Sequence, residues 1–416
     1  MAVASRFDVI VVGGGIAGSL LAGSLARSGV AVLVAEKEAR FRDRVRGEAT
    51  YPWGAVEALR LGVSPLFEQA GGVELIGLGL YEERKLGPPH RWATDSVGGA
   101  NEIGFSHPGL QEAAYAWASS QGATVCRPMK VSDFSHNGVA TVTVTVTSDS
   151  REDELHAKLI VGADGKMSRA RRWTGGESAA DPEHHRFGGV AVSGVQTDDR
   201  DTDNVGGAAG FGVNWFAQGA ESTRLYLMMS HEQLHARGID RSFDALVAFA
   251  ADYMPEGALD QVTQEGPIGF FSNHDTWATR IAGNDVVLIG DAAGSPDPTQ
   301  GHGTSLVFRD VRELSDLLLA SDDWPAAIQE FAERRARYFD VIRQYDLWCN
   351  VLEMEIGDNA DLLREGHEWA KANDPTLGGF ALIGACGPDG LVADAAARAM
   401  YFGEPLSQPP APDESR

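Results

Sequence analysis

FDVIVVGGGIAGSLLAGSLARSGVAVLVAEKE, residues 7–38, decides how the rest of the chain is read. FDVIVV (7–12) is a short apolar run rich in branched residues, as a parallel strand buried on both faces would be. Ile16 to Ser28 then carries Ala, Leu and Gly at helical spacing, and Gly29 supplies the stop. Val30 to Ala35 reads as a second buried strand ending at Glu36. Between strand and helix, Gly13, Gly15 and Gly18 form G-x-G-x-x-G, with Glu36 about twenty residues on, the spacing of a dinucleotide-binding unit. Gly13 permits the tight turn, Gly15 lets the backbone approach a pyrophosphate, and Gly18 lets helix and strand pack closely. The helix start at Ile16 and Ala17 would face that pyrophosphate with free N–H groups and a partial positive charge. Glu36, with Lys37 beside it, would accept hydrogen bonds from the adenosine ribose, which disfavours a 2′-phosphate. The bound dinucleotide is therefore FAD or NAD rather than NADP.

The same stretch is almost apolar enough for a membrane anchor, but Asp8 stands at its front and Arg27 inside it, so no membrane segment is expected. Formal net charge is -24, which argues against sequence-independent binding to nucleic acid or to anionic membranes. Hydrophobic residues make up 43 %, enough for a real core. Cys126, Cys349 and Cys386 are far apart with no C-x-x-C spacing, so neither a disulfide framework nor a zinc site is expected and a reducing, cytoplasmic setting fits. His184 and His185 are neighbours, whose side chains point apart in a helix or a strand; no metal site is expected. No pattern sets an oligomeric state.

With 416 residues the chain is long for one domain. Strand-like segments recur at AKLIVGADG (157–165) and NDVVLIGDAAG (284–294), each delivering an Asp beside a Gly to a ligand edge. Residues 139–161 read as a hairpin leading back into the first domain. Residues 187–199, 211–230 and 266–271 alternate apolar and polar residues, as antiparallel strands do. After Gly303 the pattern is helical, and GEPLSQPPAPDESR has the composition of a flexible tail. The expected fold is α/β: a discontinuous Rossmann-type dinucleotide-binding domain (1–75, 100–185, 275–345), an inserted mixed or antiparallel β-sheet substrate domain (76–99, 186–274), and a C-terminal helical segment (346–416).

GADGKMSRARR (162–172) and GDAAGSPDPTQGHGTSLVFRD (290–310), taken with the N-terminal glycine motif, resemble the signatures of flavoprotein monooxygenases of the p-hydroxybenzoate hydroxylase type. The three motifs stand in family order, and the resemblance covers most of residues 7–345. It implies FAD as the bound cofactor, NAD(P)H as transient reductant and O2 as co-substrate, in an oxidoreductase of secondary metabolism. One oxygen atom would be inserted through a flavin hydroperoxide into an aromatic, phenolic or alkene substrate, by hydroxylation or epoxidation. The resemblance assigns Asp291 to a ribityl hydroxyl, Pro298 and Thr299 to the loop beside the isoalloxazine, and Asp164 with Gly165 to a loop near the cofactor. Gly301, His302 and Gly303 would lead into a helix whose N–H groups at Thr304 and Ser305 face the pyrimidine end of the ring. In RDRVRGEATYPWG (42–54), Arg46 and Gly47, with Arg44 nearby, match a loop that lies against the flavin, and His107 stands where the family has a Gln or Arg touching FAD. Gly294 and Ser305 depart from the family's frequent His and Asn.

Flavin chemistry needs no nucleophile–base pair, and Arg46 and Pro298 are the candidates beside the reacting ring. Trp53, Trp215, Phe216, Phe270 and Phe271 are candidates for the substrate pocket. A flavin-dependent halogenase is the rival reading through GEAT (47–50), although the W-x-W-x-I-P motif is absent and Lys85 lacks the halogenase pattern around it. A geranylgeranyl-reductase-like enzyme, suggested by GDAAG, is the third. With one glycine motif and no C-x-x-x-x-C pair, a flavoprotein disulfide reductase is not expected.

Overall fold

Val9, Ile10 and Val11 are wholly buried because the strand they form is covered on both faces. A computed structural model of the chain describes residues 5–45, 47–138, 140–146, 151–373 and 379–404. The first strand, β1 (Arg6–Val12), runs into helix α1 (Ile16–Ala26) and returns in β2 (Val32–Ala35). The helix stops two residues earlier than its composition suggests, because Arg27–Gly29 make the turn, with Gly29 at φ +89°. Alternation along β1 sends Val9 and Val11 towards α1 and the helices His107–Ser120 and Gly303–Ala320. Ile10 and Val12 go the other way, towards the hairpin side chains Met129, Val131, Ala140 and Val142.

The sheet around β1 has a parallel centre. Strand Thr124–Cys126 pairs with β2, β2 with β1, β1 with Arg151–Gly162, and that strand with Val286–Leu288. Arg151–Gly162 does double duty. Its first half pairs antiparallel with Ala140–Val146, and its second half enters the parallel centre through Ile160–Gly162. Close crossing of α1 and His107–Ser120 depends on Gly23, where a Cβ would lie 2.2 Å from the Trp117 ring.

A second sheet of nine strands is ordered 263–264, 185–193, 222–229, 211–217, 203–208, 77–82 and 85–86, with 269–273 on 185–193 and 90–91 on 77–82. It is antiparallel except where Asp203–Ala208 runs parallel to Gly77–Glu82. One face carries Val190, Val213, Trp215, Leu225 and Leu227 against the helices His231–Arg237 and Phe243–Ala251. The other face carries Phe187, Phe216, Tyr226 and Met228 and looks back towards the first sheet.

The boundary expected at residues 345/346 falls inside a continuous helix, Trp324–Glu353, whose buried stripe includes Tyr338, Phe339, Ile342 and Trp348. Helical periodicity runs through that point unbroken. Residues 405–416, which include most of the tail expected to be flexible, lie outside the described residues. Among the described residues no helix is long and apolar enough to cross a membrane.

Candidate active site

The glycine turn is held by sterics. Gly13 sits at φ +106°, and a Cβ there would lie 2.4 Å from the Ala163 carbonyl oxygen. Gly18 is tighter still: its Cβ would meet the Gly13 carbonyl oxygen at 2.0 Å, so Gly18 lets helix and turn touch and does not itself line the cavity. In front of Gly15 only Gln111 Nε2 comes near, 3.6 Å from where a Cβ would stand, which leaves the helix start open. Helix α1 has Gly15 as N-cap, no side-chain cap and no acidic residue in its first turn, so its first N–H groups are available to an anion. Gly15, Ile16, Ala17, Glu36 and Lys37 line one end of a cavity of about 920 Å³. The Glu36 carboxylate is fixed at the tip of β2 by the Gly14 N–H and the Glu38 N–H, both at 2.7 Å.

Two further loops close over the same cavity. Asp164 Oδ2 accepts the Arg169 N–H at 2.7 Å, which shapes the turn after the long strand. Arg171, buried beneath it, donates from Nη2 to the Asp291 carbonyl at 2.8 Å and from Nε to the Ala292 carbonyl at 2.9 Å. Thus Arg171 ties the loop of Asp164 to the loop of Asp291. From behind, Arg335 donates to the Gly294 carbonyl at 3.0 Å, to the Gly290 carbonyl at 3.3 Å, and to Asp310 Oδ2 at 2.9 Å. Asp310 also takes the Gly290 N–H at 2.7 Å and the Tyr338 hydroxyl at 2.6 Å. Sequence reasoning missed this buried Asp310–Arg335–Tyr338 node; the only visible signal was an Asp closing the GDAAG…RD segment.

Asp164, Asp291, Pro298, Gly301, Gly303 and Thr304 all line the cavity. Nothing lies within 4 Å of a Cβ placed on Gly303, and helix Gly303–Ala320 begins without a side-chain cap or an acidic first turn. His302 and Ser305 were expected at the cofactor and are turned away from the cavity. One helical turn apart, they face residues 50–54: Ser305 Oγ lies 3.0 Å from Thr50 Oγ1, and the His302 ring lies tilted against Tyr51 with ring centroids 5.2 Å apart. His302 Nε2 lies 3.4 Å from Asp346, and burial pushes the imidazole pKa down to about 3, so it is neutral.

Arg44 and Gly47 line the cavity, and Arg44 pairs with Glu38 at 3.0 Å. Arg46 lies outside the described residues. Gly47, at φ +69°, presents its carbonyl to His107 Nδ1, which donates at 2.7 Å. His107 therefore fastens the 44–48 loop as well as lining the cavity. Gln111, one turn further along the same helix face, also lines it and was missed; its i, i+4 spacing from His107 was the available signal.

Phe216 and Phe271 line the far half of the cavity, joined by Phe187, Tyr226 and Met228. Trp215, Phe270 and Trp53 do not. Strand alternation sends Trp215 and Phe270 to the helix-covered face, so each adjacent aromatic pair contributes only one ring to the pocket. Trp53 is buried beside Tyr51, under Gly387. At the pocket wall Glu48 is held by Arg224 and Tyr226, and Asp43 supports the same guanidinium at 3.0 Å. Burial pushes the Glu48 carboxyl up to about 7 against the pull of Arg224.

His184 and His185 converge rather than diverge, because His184 precedes the strand that begins at His185 and escapes its alternation. Their Nδ1 atoms are in contact, His184 Nε2 lies 3.0 Å from Asp297, and His185 Nε2 lies 2.6 Å from the Thr299 hydroxyl. These three residues bring ligand atoms within 4.8 Å of one another, each already engaged in a hydrogen bond, and they brace the Pro298 loop from outside.

Fold and cavity together define a dinucleotide-binding α/β protein with a second sheet roofing the site. The FAD binding domain family matches residues 6–322, and the chain belongs to it. Its cofactor is FAD, and the residues fit: two uncapped helix starts with open space before Gly15 and Gly303, and carboxylates at Glu36 and Asp291. The chain is similar to squalene epoxidase 3 of Arabidopsis thaliana, 23 % identical over 75 % of this chain but only 60 % of that one. It is also similar to menaquinone reductase of Mycolicibacterium smegmatis, 26 % identical over 82 % of this chain and 84 % of the other. Among solved structures, p-nitrophenol 4-monooxygenase PnpA of Pseudomonas putida DLL-E4 superposes with TM-score 0.75 at 18 % identity, covering 87 % of this chain and 93 % of that one.

Proposed function

We propose that the protein is an FAD-dependent monooxygenase that uses NAD(P)H and O2 to insert one oxygen atom into an organic small molecule with an apolar, aromatic or alkene portion. The observation that carries this reading is one continuous cavity running from the glycine turn to the aromatic face of the second sheet. Bound FAD supplies the redox and oxygen chemistry. This chain's residues position and shield. The N–H groups of Ile16 and Ala17 hold the pyrophosphate, Glu36 holds the adenosine ribose, and Asp291 the ribityl chain. The uncapped start of the helix at Gly303 and Thr304 turns partial positive charge towards the ring system. Phe187, Phe216, Phe271 and Met228 exclude water from the reacting end and hold the substrate's apolar part. Arg44, Gly47 and Pro298 line the same cavity.

Purified protein carrying the yellow flavin spectrum should oxidise NAD(P)H under air faster with a library member than without, and 18O2 should appear in the product. A product carrying chloride or bromide in place of oxygen would overturn the reading in favour of halogenation. The menaquinone reductase similarity favours a second reading, hydrogenation of an alkene. Turnover that persists without O2 would select it.

A further inference from the structure

The far half of the cavity is acidic in a way its cofactor does not explain. Glu102, Asp203 and Glu353 line it; Glu102 and Asp203 are buried, while Glu353 is exposed at its edge. Their supports are neutral: Asp203 Oδ1 accepts from Asn214 Nδ2 at 2.6 Å, and Glu353 Oε2 accepts from Gln300 Nε2 at 2.8 Å. Glu102, 2 % exposed, has an Oε2 without a hydrogen-bond partner among the described residues; the Trp92 indole is near, but its N–H is not hydrogen-bonded either. Among the described residues no Lys, Arg or His offsets any of the three. Glu48, on the same wall, shows the contrast, since Arg224 matches it.

The three carboxyls share one neighbour. Tyr51, a cavity residue, is held above the ordinary phenol range first by burial and then by the charges of Glu102, Asp203, Glu353 and Asp346. Burial raises Asp203 to about 7, and burial followed by the charge of Asp203 raises Glu102 well above the carboxylate range. Unmatched buried acids are costly, and a cation brought in by a ligand offsets that cost. A metal ion is the poorer occupant: among the described residues only His184, His185 and Asp297 converge closely enough for one. An aromatic wall favours an organic cation instead, with Phe187 4.5 Å from Tyr226 and 5.7 Å from Phe271 between ring centroids.

We infer that the substrate is an organic amine, its protonated nitrogen received by Glu102 and Asp203, with Glu353 adding negative potential, and its apolar body against Phe187, Tyr226 and Phe271. This rests on the reading of the cavity as a flavin monooxygenase site and narrows its substrate class.

The test uses FAD-loaded full-length protein and three matched probe pairs: tryptamine with tryptophol, phenethylamine with phenethyl alcohol, and octylamine with octanol. Binding is read by titration calorimetry and by perturbation of the flavin spectrum. At least one amine should bind roughly tenfold or more tighter than its alcohol. Glu102→Gln and Asp203→Asn should each reduce that preference to about threefold or less, with flavin content unchanged. The inference is overturned if no amine binds, if every alcohol binds as well as its amine, or if the preference survives in both variants. Circular dichroism and flavin content show whether each variant folds, and the wild-type contrast stands without them. Protein that retains no FAD would overturn the cofactor reading instead.

Discussion

Replacing Arg335 by Met removes the strut behind the loop that carries Asp291. The Arg335 side chain is 2 % exposed and its guanidinium makes three hydrogen bonds, to Asp310 and to the carbonyls of Gly290 and Gly294. Methionine fills much of the volume, so the loss is electrostatic rather than a cavity. Breaking a buried pair by removing one partner costs about 3–5 kcal/mol, because the remaining charge stays buried. Asp310 keeps the Gly290 N–H and the Tyr338 hydroxyl, which places the cost near the lower end. For a chain of 416 residues, an unfolding entropy of about 2.1 cal/mol/K per residue turns that range into a Tm drop of roughly 3–6 °C. Cofactor binding should suffer as well. One charged hydrogen bond to a loop carbonyl is worth about 1.5–3 kcal/mol, so FAD affinity should fall by roughly tenfold or more. Scanning calorimetry of the apoprotein and flavin titration by fluorescence read the two effects separately. Changing Asp310 to Leu in the same chain removes the orphaned charge and should restore part of the Tm but not the FAD affinity. A Tm shift below about 1 °C together with unchanged flavin affinity would refute the account of the strut.

Asp291→Ala should abolish tight FAD retention, read as the ratio of flavin to protein absorbance after gel filtration; full occupancy would show that the ribityl chain lies elsewhere. Gly18→Ala puts a methyl 2.0 Å from the Gly13 carbonyl oxygen, so the turn must move, and flavin retention should fall together with thermal stability. Burial raises Glu353 from 4.5 to about 7 in the folded protein. The native state then holds a proton that the unfolded chain has lost between those values, so this residue lowers stability as pH rises from about 4.5 to 7. Glu353→Gln should make the pH profile of Tm less steep across that window; a profile as steep as wild type would contradict this.

What was legible in the sequence followed from local geometry. Gly13 and Gly18 announce a strand–turn–helix because only glycine survives the contacts there, and those contacts lie within a few residues or across one strand pair, while Gly15 keeps the helix start open. Alternation in residues 211–230 likewise revealed a sheet half covered by helices. It could not say which half, and that ambiguity made Trp215 and Phe216 equal candidates although only Phe216 reaches the cavity. His302 and Ser305 fail for a related reason: a motif names a helix start, whereas the direction of each side chain depends on the helix packed beside it, here Pro52–Leu61. The strut Asp310–Arg335–Tyr338 and the tie from Arg171 to Asp291 were out of reach altogether. Each joins residues distant in sequence through single side chains that leave no period to read. The acidic pocket is the extreme case. Glu102, Asp203 and Glu353 come from three separate segments, and each alone reads as one more acid in a chain of net charge -24. Most of that charge lies in water and needs no partner. Glu102 and Asp203 gain meaning only when folding removes their water and brings no Arg or Lys to replace it, with Glu353 at the pocket edge beside them. The part of the site that selects a substrate is therefore the part that composition hides best.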